Sequence, residues 1–269
     1  MFARKSDLVI AITTYDIDAL RLSIPAVRRC ARDAILVIHN DNPGIELSRD
    51  FVRGTGWRGA LHIINEKNNL GEFESRIAVL EYIDHEKIPC NWILFVDDDD
   101  ALIDATVPNV SELTFAVVQN ATTISENITD IFKISPKWTA GSEYGKTGAH
   151  FDITGTLVRR NVAIEFAHFM RTILPEIKKI EHGFKYRVPV GAVMWAGLKT
   201  FMRAAHPEMS AIYMNQTNYV SIKLGHAAQK YGMRAVPATS AKTFNSNVIK
   251  KFTEMFERAA AQNMVAVAQ

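Results

Sequence analysis

Residues 92–100 read WILFVDDDD, Trp92 to Asp100. Five apolar residues with no polar alternation are the pattern of a strand buried on both faces, as in a parallel sheet covered by helices. The run stops at four consecutive carboxylates, Asp97 to Asp100, whose like charges repel unless something offsets them. An extended backbone points alternate side chains to one face, so Asp97 and Asp99 project together while Asp98 and Asp100 face away. Two carboxylates a pleat apart at the carboxyl end of a parallel strand suit a hard divalent cation, Mn²⁺ or Mg²⁺, whose shell is completed by substrate phosphates and water. Open α/β sheets bind ligands beyond that end of their strands. A solvated acidic loop or a helix cap is the plain alternative, and the calcium-loop pattern D-x-D-x-D-G is absent.

Working outward, the first hundred residues alternate strand and helix patterns. Leu8–Thr13 and Ala34–His39 are short apolar runs, and Leu61–Asn65 is a third. Between them, Ile17–Arg32 has helical spacing at Leu20, Ile24, Val27 and Ala31, with Pro25 as a candidate kink. Glu72–Tyr82 is a second helix pattern, with Phe73, Ile77 and Leu80 near one face. Such alternation implies an α/β chain, a Rossmann-like domain with a mostly parallel central sheet flanked by helices. Beyond Asp104 the signal loosens. It suggests helices over Ser111–Asn120, Asn161–Thr172, Tyr219–Lys230 and Ile249–Ala261. Strands are expected over Ile128–Ile134, Phe151–Val158 and Met233–Val236. The Gly-containing loop Pro136–His150 carries Gly141, Gly145 and Gly148 as hinges and Lys146 as a charge, without the P-loop spacing. No linker or repeat divides the chain, so one domain is expected, with residues 1–105 as a nucleotide-binding half and 106–269 as a more variable half.

Composition is that of an ordinary folded domain. Thirty-one Lys+Arg against 29 Asp+Glu leave a formal charge of +2, too little to advertise a nucleic-acid partner. Cys30 and Cys90 lie far apart without CxxC spacing and read as packed thiols in a reducing, cytoplasmic setting. The first fifteen residues read as a core strand rather than a signal peptide, and Val188–Met202 is too short to span a bilayer. Arg159-Arg160 and Lys178-Lys179 leave peripheral membrane contact open.

The series LVIAITTYD, AILVIHNDNPG, NEKNNLGEFESR and WILFVDDDD resembles the amino-terminal half of family 2-type glycosyltransferases with the GT-A fold. Four motifs in order carry the resemblance, over about the first 105 residues: Thr14-Tyr15-Asp16, His39-Asn40-Asp41-Asn42, Asn69-Leu70-Gly71 with Arg76, and Asp97-Asp98-Asp99. The resemblance implies a nucleotide-diphosphate sugar donor, UDP- or GDP-linked, and a saccharide, lipid-linked or protein acceptor. It implies that Thr14 and Tyr15 line a nucleobase pocket, that Asp41 bonds base or ribose, and that Asn69, Gly71 and Arg76 frame the nucleotide. Asp97 would meet ribose or metal, and Asp99 would ligate the metal that holds the diphosphate. Ordinary packing and a surface ion pair are the plain readings of Tyr15 and Arg76.

The second half departs from that family. Its inverting members carry a late acidic pair before a helix that supplies the general base, and the nearest layout match here is Gln216-Thr217-Asn218. An amide cannot take a proton at neutral pH. Asp152 and Glu181 are the substitute candidates; otherwise the chemistry is retaining, or catalysis has been lost. His226 is a weaker candidate for a metal shell and reads better as a structural histidine. A non-catalytic sugar- or nucleotide-binding module therefore competes with the enzyme reading. A sugar nucleotidyltransferase ranks last, because the TTYDIDALR turn lacks the glycine-rich loop of that class.

Overall fold

A computed structural model describes residues 7–124, 152–184, 188–222 and 238–267. Its strands are β1 (Leu8–Thr14), β2 (Ile35–Asn40), β3 (Leu61–Asn65), β4 (Trp92–Asp97), β5 (Ala101–Leu102), β6 (Thr114–Ile124), β7 (Leu157–Arg159) and β8 (Ser210–Ile222). Its helices are α1 (Leu20–Cys30), α2 (Arg49–Gly54), α3 (Glu72–His85), α4 (Arg160–His182), α5 (Val190–Ala205) and α6 (Ala238–Val267).

All eight strands form one sheet in the order β3-β2-β1-β4-β7-β6-β8-β5. The block β3-β2-β1-β4 is wholly parallel, and β6 also runs parallel to β8, while β7 and β5 pair antiparallel with their neighbours. The sheet is thus mostly parallel and covered by helices on both faces. Alternation along β1 builds the two cores. Leu8, Ile10 and Ile12 pack on Leu20, Ile24 and Val27 of α1 and on Trp57, whereas Val9 and Ala11 face the layer of α3, α4, α5 and α6. In that second core Phe252 of α6 lies against Phe73, Phe184 and Phe256.

Pro25 does not end α1, which runs five residues beyond it. Three expectations fail. Ser111–Asn120 is not a helix: from Thr114 it is the central strand β6, because Phe115, Val117 and Val118 are all buried and β-formers buried on both faces favour a strand. Tyr219–Ile222 belongs to β8 and not to a helix, its Tyr-Val-Ser-Ile alternation pairing with β6. Phe151–Val158 is not one strand, since Asp152–Thr156 forms a turn before the short β7. The expected strands Ile128–Ile134 and Met233–Val236, the loop Gly141–Gly148, Lys146 and His226 lie outside the described residues. Both cysteines are free thiols. No described helix is long and apolar enough to cross a membrane.

Phe252 is fully buried and ties α6 to α3. Phe252→Ala should cost about 3–5 kcal/mol of stability in urea unfolding, as expected for deleting a core aromatic. A loss below about 1 kcal/mol with an unchanged denaturant slope would mean that α6 is not part of the core.

Candidate functional site

The strand order reverses direction between β1 and β4: the chain steps outward from β1 to β2 and β3, then returns to the other side of β1. Such a switch point leaves a crevice at the carboxyl ends of the two strands. Thr14 ends β1 and Asp97 ends β4, with Thr13 and Asp97 in register. The Asp41 amide, just after β2, donates to the Thr14 carbonyl at 2.8 Å, which joins the second loop to the same crevice.

The acidic run does not continue the pleat. Strand β4 stops at Asp97, and the Asp100 amide donates back to the Asp97 carbonyl at 3.3 Å, closing a turn. The expected sharing of one face by Asp97 and Asp99 is therefore replaced by dispersal. Asp97 Oδ1 accepts from Arg76 Nη2 at 2.7 Å and from Thr154 Oγ1 at 3.4 Å. Asp98 Oδ2 accepts from the Thr14 hydroxyl at 2.6 Å. The Tyr219 hydroxyl donates to Asp100 Oδ2 at 2.6 Å and accepts the Asp97 amide at 3.1 Å. Desolvation, then the neighbouring Asp99 charge, push the Asp98 carboxyl up to about 8, against the Thr14 hydrogen bond.

Arg76 is not a surface residue. It is 1% exposed, and helical i,i+4 spacing brings Glu72 to its Nη2 at 2.9 Å. Its Nη1 donates to Thr154 Oγ1 at 3.0 Å, and the guanidinium lies 5.6 Å from the centre of the Phe95 ring. Burial acts to lower its proton affinity, but Asp97 and Glu72 outweigh burial and hold it above its ordinary value. The cation thus fixes the end of β4, the first turn of α3 and the 152–156 turn at one point.

Asp41 is 6% exposed and clasps the loop before α3: its two oxygens accept the Leu70 amide at 2.7 Å and the Gly71 amide at 2.9 Å. The Asn69 side chain also accepts from the Gly71 amide, at 3.0 Å, and Gly71 has φ +81°, a region open to glycine. These residues shape the loop through backbone bonds. Tyr15 stands at the rim, 37% exposed, with its carbonyl held by Asn42 Nδ2 at 2.9 Å.

Asp152 opens the turn that carries Thr154. The Thr154 amide bonds Asp152 Oδ1 at 2.9 Å, the Thr156 hydroxyl bonds the Asp152 carbonyl at 2.8 Å, and Gly155 adopts φ +78° beneath the Tyr219 ring. The Asp152 carboxylate lies on Gly191 in the first turn of α5, so close that a Cβ at Gly191 would fall 1.8 Å from Oδ1. Asp152 keeps an exposed surface. Even so, desolvation by the surrounding protein is the largest influence on it, and the carboxyl is raised to about 6 despite the Arg76 charge. Glu181 lies on the last turn of α4 rather than on a loop, half-buried and raised by burial and by the Glu72 charge. Asn218 is 1% exposed in β8 and donates to the Gly155 carbonyl at 2.9 Å, a structural position.

The crevice therefore gathers Thr14, Arg76, Asp97, Asp98 and Asp99 with Asp41, Asn69 and Gly71 in the adjoining loop. Sequence reasoning missed Thr154 and Tyr219. The glycine of Thr154-Gly155-Thr156 marked a turn, and the alternation after Asn218 marked a strand. Among the described residues, no three His, Cys, Asp or Glu side chains form a ready-made metal cage. Asp97 and Asp99 stand in one turn, and Mn²⁺ or Mg²⁺ needs only one or two carboxylates where phosphates and water complete its shell.

No protein-family model matches this sequence, and no curated protein matches it. Solved structures similar in outline include S. aureus TarS, at TM-score 0.49 and 10% identity over 83% of this chain and 38% of that one. TarS 1–349 in complex with UDP-GlcNAc matches at 0.49 and 11%, over 87% of this chain and 61% of that one. The mannosyltransferase PcManGT from Pyrobaculum calidifontis, in complex with GDP-Man and Mn²⁺, matches at 0.47 and 11%, over 98% and 76%. The chain spans less than two thirds of the TarS chains.

The raised Asp98 carboxyl has a consequence for stability. The folded state holds its proton above the pH at which the unfolded chain releases it. In chelator, Asp98 therefore makes stability fall as pH rises from about 4 toward about 8. Asp98→Asn should raise the urea midpoint at pH 8 and change it little near pH 4; equal shifts at both pH values would contradict the assignment.

Proposed function

We propose that this chain is a metal-assisted glycosyltransferase of the GT-A type, moving a sugar from a UDP- or GDP-linked donor to a saccharide, lipid-linked or protein acceptor. The observation that carries the reading is that Thr154 ties the turn opened by Asp152 to both Arg76 and Asp97 in one crevice. The order of the four sequence motifs supports a nucleotide at the other end of that crevice.

On this reading Thr14, Tyr15 and Asp41 border the nucleoside, and Asn69 and Gly71 shape the loop beside it. Asp97 and Asp99 would hold Mn²⁺ or Mg²⁺, which when bound neutralises charge on the departing nucleoside diphosphate as a Lewis acid. Arg76 keeps Asp97 oriented through its ion pair. Asp152 is the proton acceptor: the acceptor hydroxyl oxygen bonds the anomeric carbon, its proton passes to the Asp152 carboxylate, and the bond to the diphosphate oxygen breaks with its electron pair leaving on the nucleotide. That route inverts the anomeric centre. Asp152 suits the role better than Glu181 because it packs beside Thr154, itself bonded to both Arg76 and Asp97. A carboxyl raised to about 6 is still ionised near neutrality and is a stronger base than an ordinary aspartate. A non-catalytic binding module is the second reading, favoured by the amide at Asn218, where the family's layout places its acid.

Nucleoside diphosphate released from a UDP- and GDP-sugar panel with Mn²⁺ and candidate acceptors separates the two. Asp152→Asn should lower kcat by about 10²–10⁴-fold while donor affinity stays unchanged. Because the base works only when deprotonated, kcat should climb with pH through about 6. Full turnover in Asp152→Asn would remove Asp152 from the chemistry, and donor binding without any turnover would favour the binding module.

A further inference from the structure

The opposite end of the sheet carries a cationic face that glycosyl transfer does not use. From Leu20 to Ala60 the chain has seven arginines, Arg21, Arg28, Arg29, Arg32, Arg49, Arg53 and Arg58, and no lysine. Four acids, Asp33, Asp41, Glu46 and Asp50, share that stretch, and Asp41 is buried in the crevice. Helix α1 runs back from the carboxyl end of β1 to the amino end of β2. The Leu36 amide bonds the Ala60 carbonyl at 3.0 Å, so the loop before β3 lies at that amino end too.

Arginines surround this loop. A Cβ at Gly56 would fall 2.5 Å from Arg28 Nη1, so the Arg28 guanidinium lies against the loop backbone. Arg53 Nη1 donates to the carbonyls of Trp57 at 3.1 Å and Gly59 at 3.0 Å. Arg58 Nη1 donates to those of Arg53 at 2.6 Å and Trp57 at 2.9 Å. The Arg32 carbonyl would be 3.3 Å from a Cβ at Gly59. Trp57, 1% exposed, anchors the turn from beneath, its Nε1 bonding the Ala60 carbonyl at 3.0 Å. Arg28, Arg32 and Arg58 are exposed, and among the described residues neither they nor Arg53 forms an ion pair with an acid. The basic pairs noticed in the sequence differ: Arg159 bonds the Thr114 and Ser111 carbonyls, while Arg160 pairs with Asp84 and Lys178 with Glu74.

We infer that this face, built on Arg28, Arg32, Arg53 and Arg58, binds the phosphate headgroups of an anionic membrane surface. Guanidinium groups match phosphate oxygens in pairs, and a cluster of four to eight basic residues is enough for attraction to an anionic leaflet. The rigid loop presents these charges with little ordering left to do on contact. Nucleic acid fits less well because no aromatic ring is offered for base stacking here: Trp57 is buried and Phe51 lies half-buried under Arg21. Attachment by this end leaves the crevice at the other end of the sheet open.

The test is sedimentation of the full chain with vesicles of phosphatidylglycerol and phosphatidylcholine, against vesicles of phosphatidylcholine alone. Binding should require the anionic lipid and weaken at about 0.5 M salt, where the screening length is near 3–5 Å. The triple variant Arg28→Gln/Arg32→Gln/Arg58→Gln should lose about a hundredfold in vesicle affinity, about fivefold for each arginine removed, while its donor binding stays unchanged. Equal binding to both vesicles, no binding to either, or full binding by the triple variant would overturn the inference. Charge-dependent capture of an RNA oligomer without vesicle binding would also overturn it, and would assign the face to nucleic acid.

Discussion

The ion pair between Arg76 and Asp97 is the contact on which the rest of the crevice depends. A fully buried guanidinium is expensive to desolvate, and it is retained only where several acceptors surround it. Here Glu72, Asp97 and Thr154 do so, coming from a helix, a strand end and a distant turn. Removing the cation would leave two carboxylates facing each other and would free the turn that holds Asp152. The ion pair therefore links the first half of the chain, which resembles a nucleotide-sugar binder, to the second half, where the proposed base lies.

The four acids show how a protein accommodates like charges at the end of a strand. Three of them are directed to different partners: Asp97 to a cation, Asp98 to a hydroxyl with its proton retained, Asp100 to a buried tyrosine. The turn closed by the Asp100 amide accomplishes this dispersal. On the proposed reading, Asp97 and Asp99 would offer hard oxygen ligands to a metal-bound diphosphate, with the Arg76 charge fixed behind Asp97.

The parallel half was legible because strands buried on both faces announce themselves without reference to distant residues. WILFV, AILVIH and LVIAIT are strands for local reasons, and Asp97, Thr14 and Asp41 follow them at strand ends. The second half was not legible, because its elements are decided by partners far along the chain. Thr114–Ile124 is a strand since β7 and β8 flank it, and Tyr219 is in a strand since its hydroxyl is needed at Asp97 and Asp100. The relation of Asp152 to Gly191 was invisible for the same reason: only folding brings a carboxylate to a position where the helix itself carries no side chain.

The central claim is that the crevice at the β1–β4 switch point binds a metal-held nucleoside diphosphate. Calorimetric titration of UDP and of GDP into the full chain, with Mn²⁺ and again with chelator, tests it most directly. The account predicts saturable one-to-one binding of one of the two nucleotides that weakens by about tenfold or more without the metal and is lost in Asp99→Ala. Failure of both nucleotides to bind in Mn²⁺, or binding indifferent to chelator and to Asp99→Ala, would contradict it.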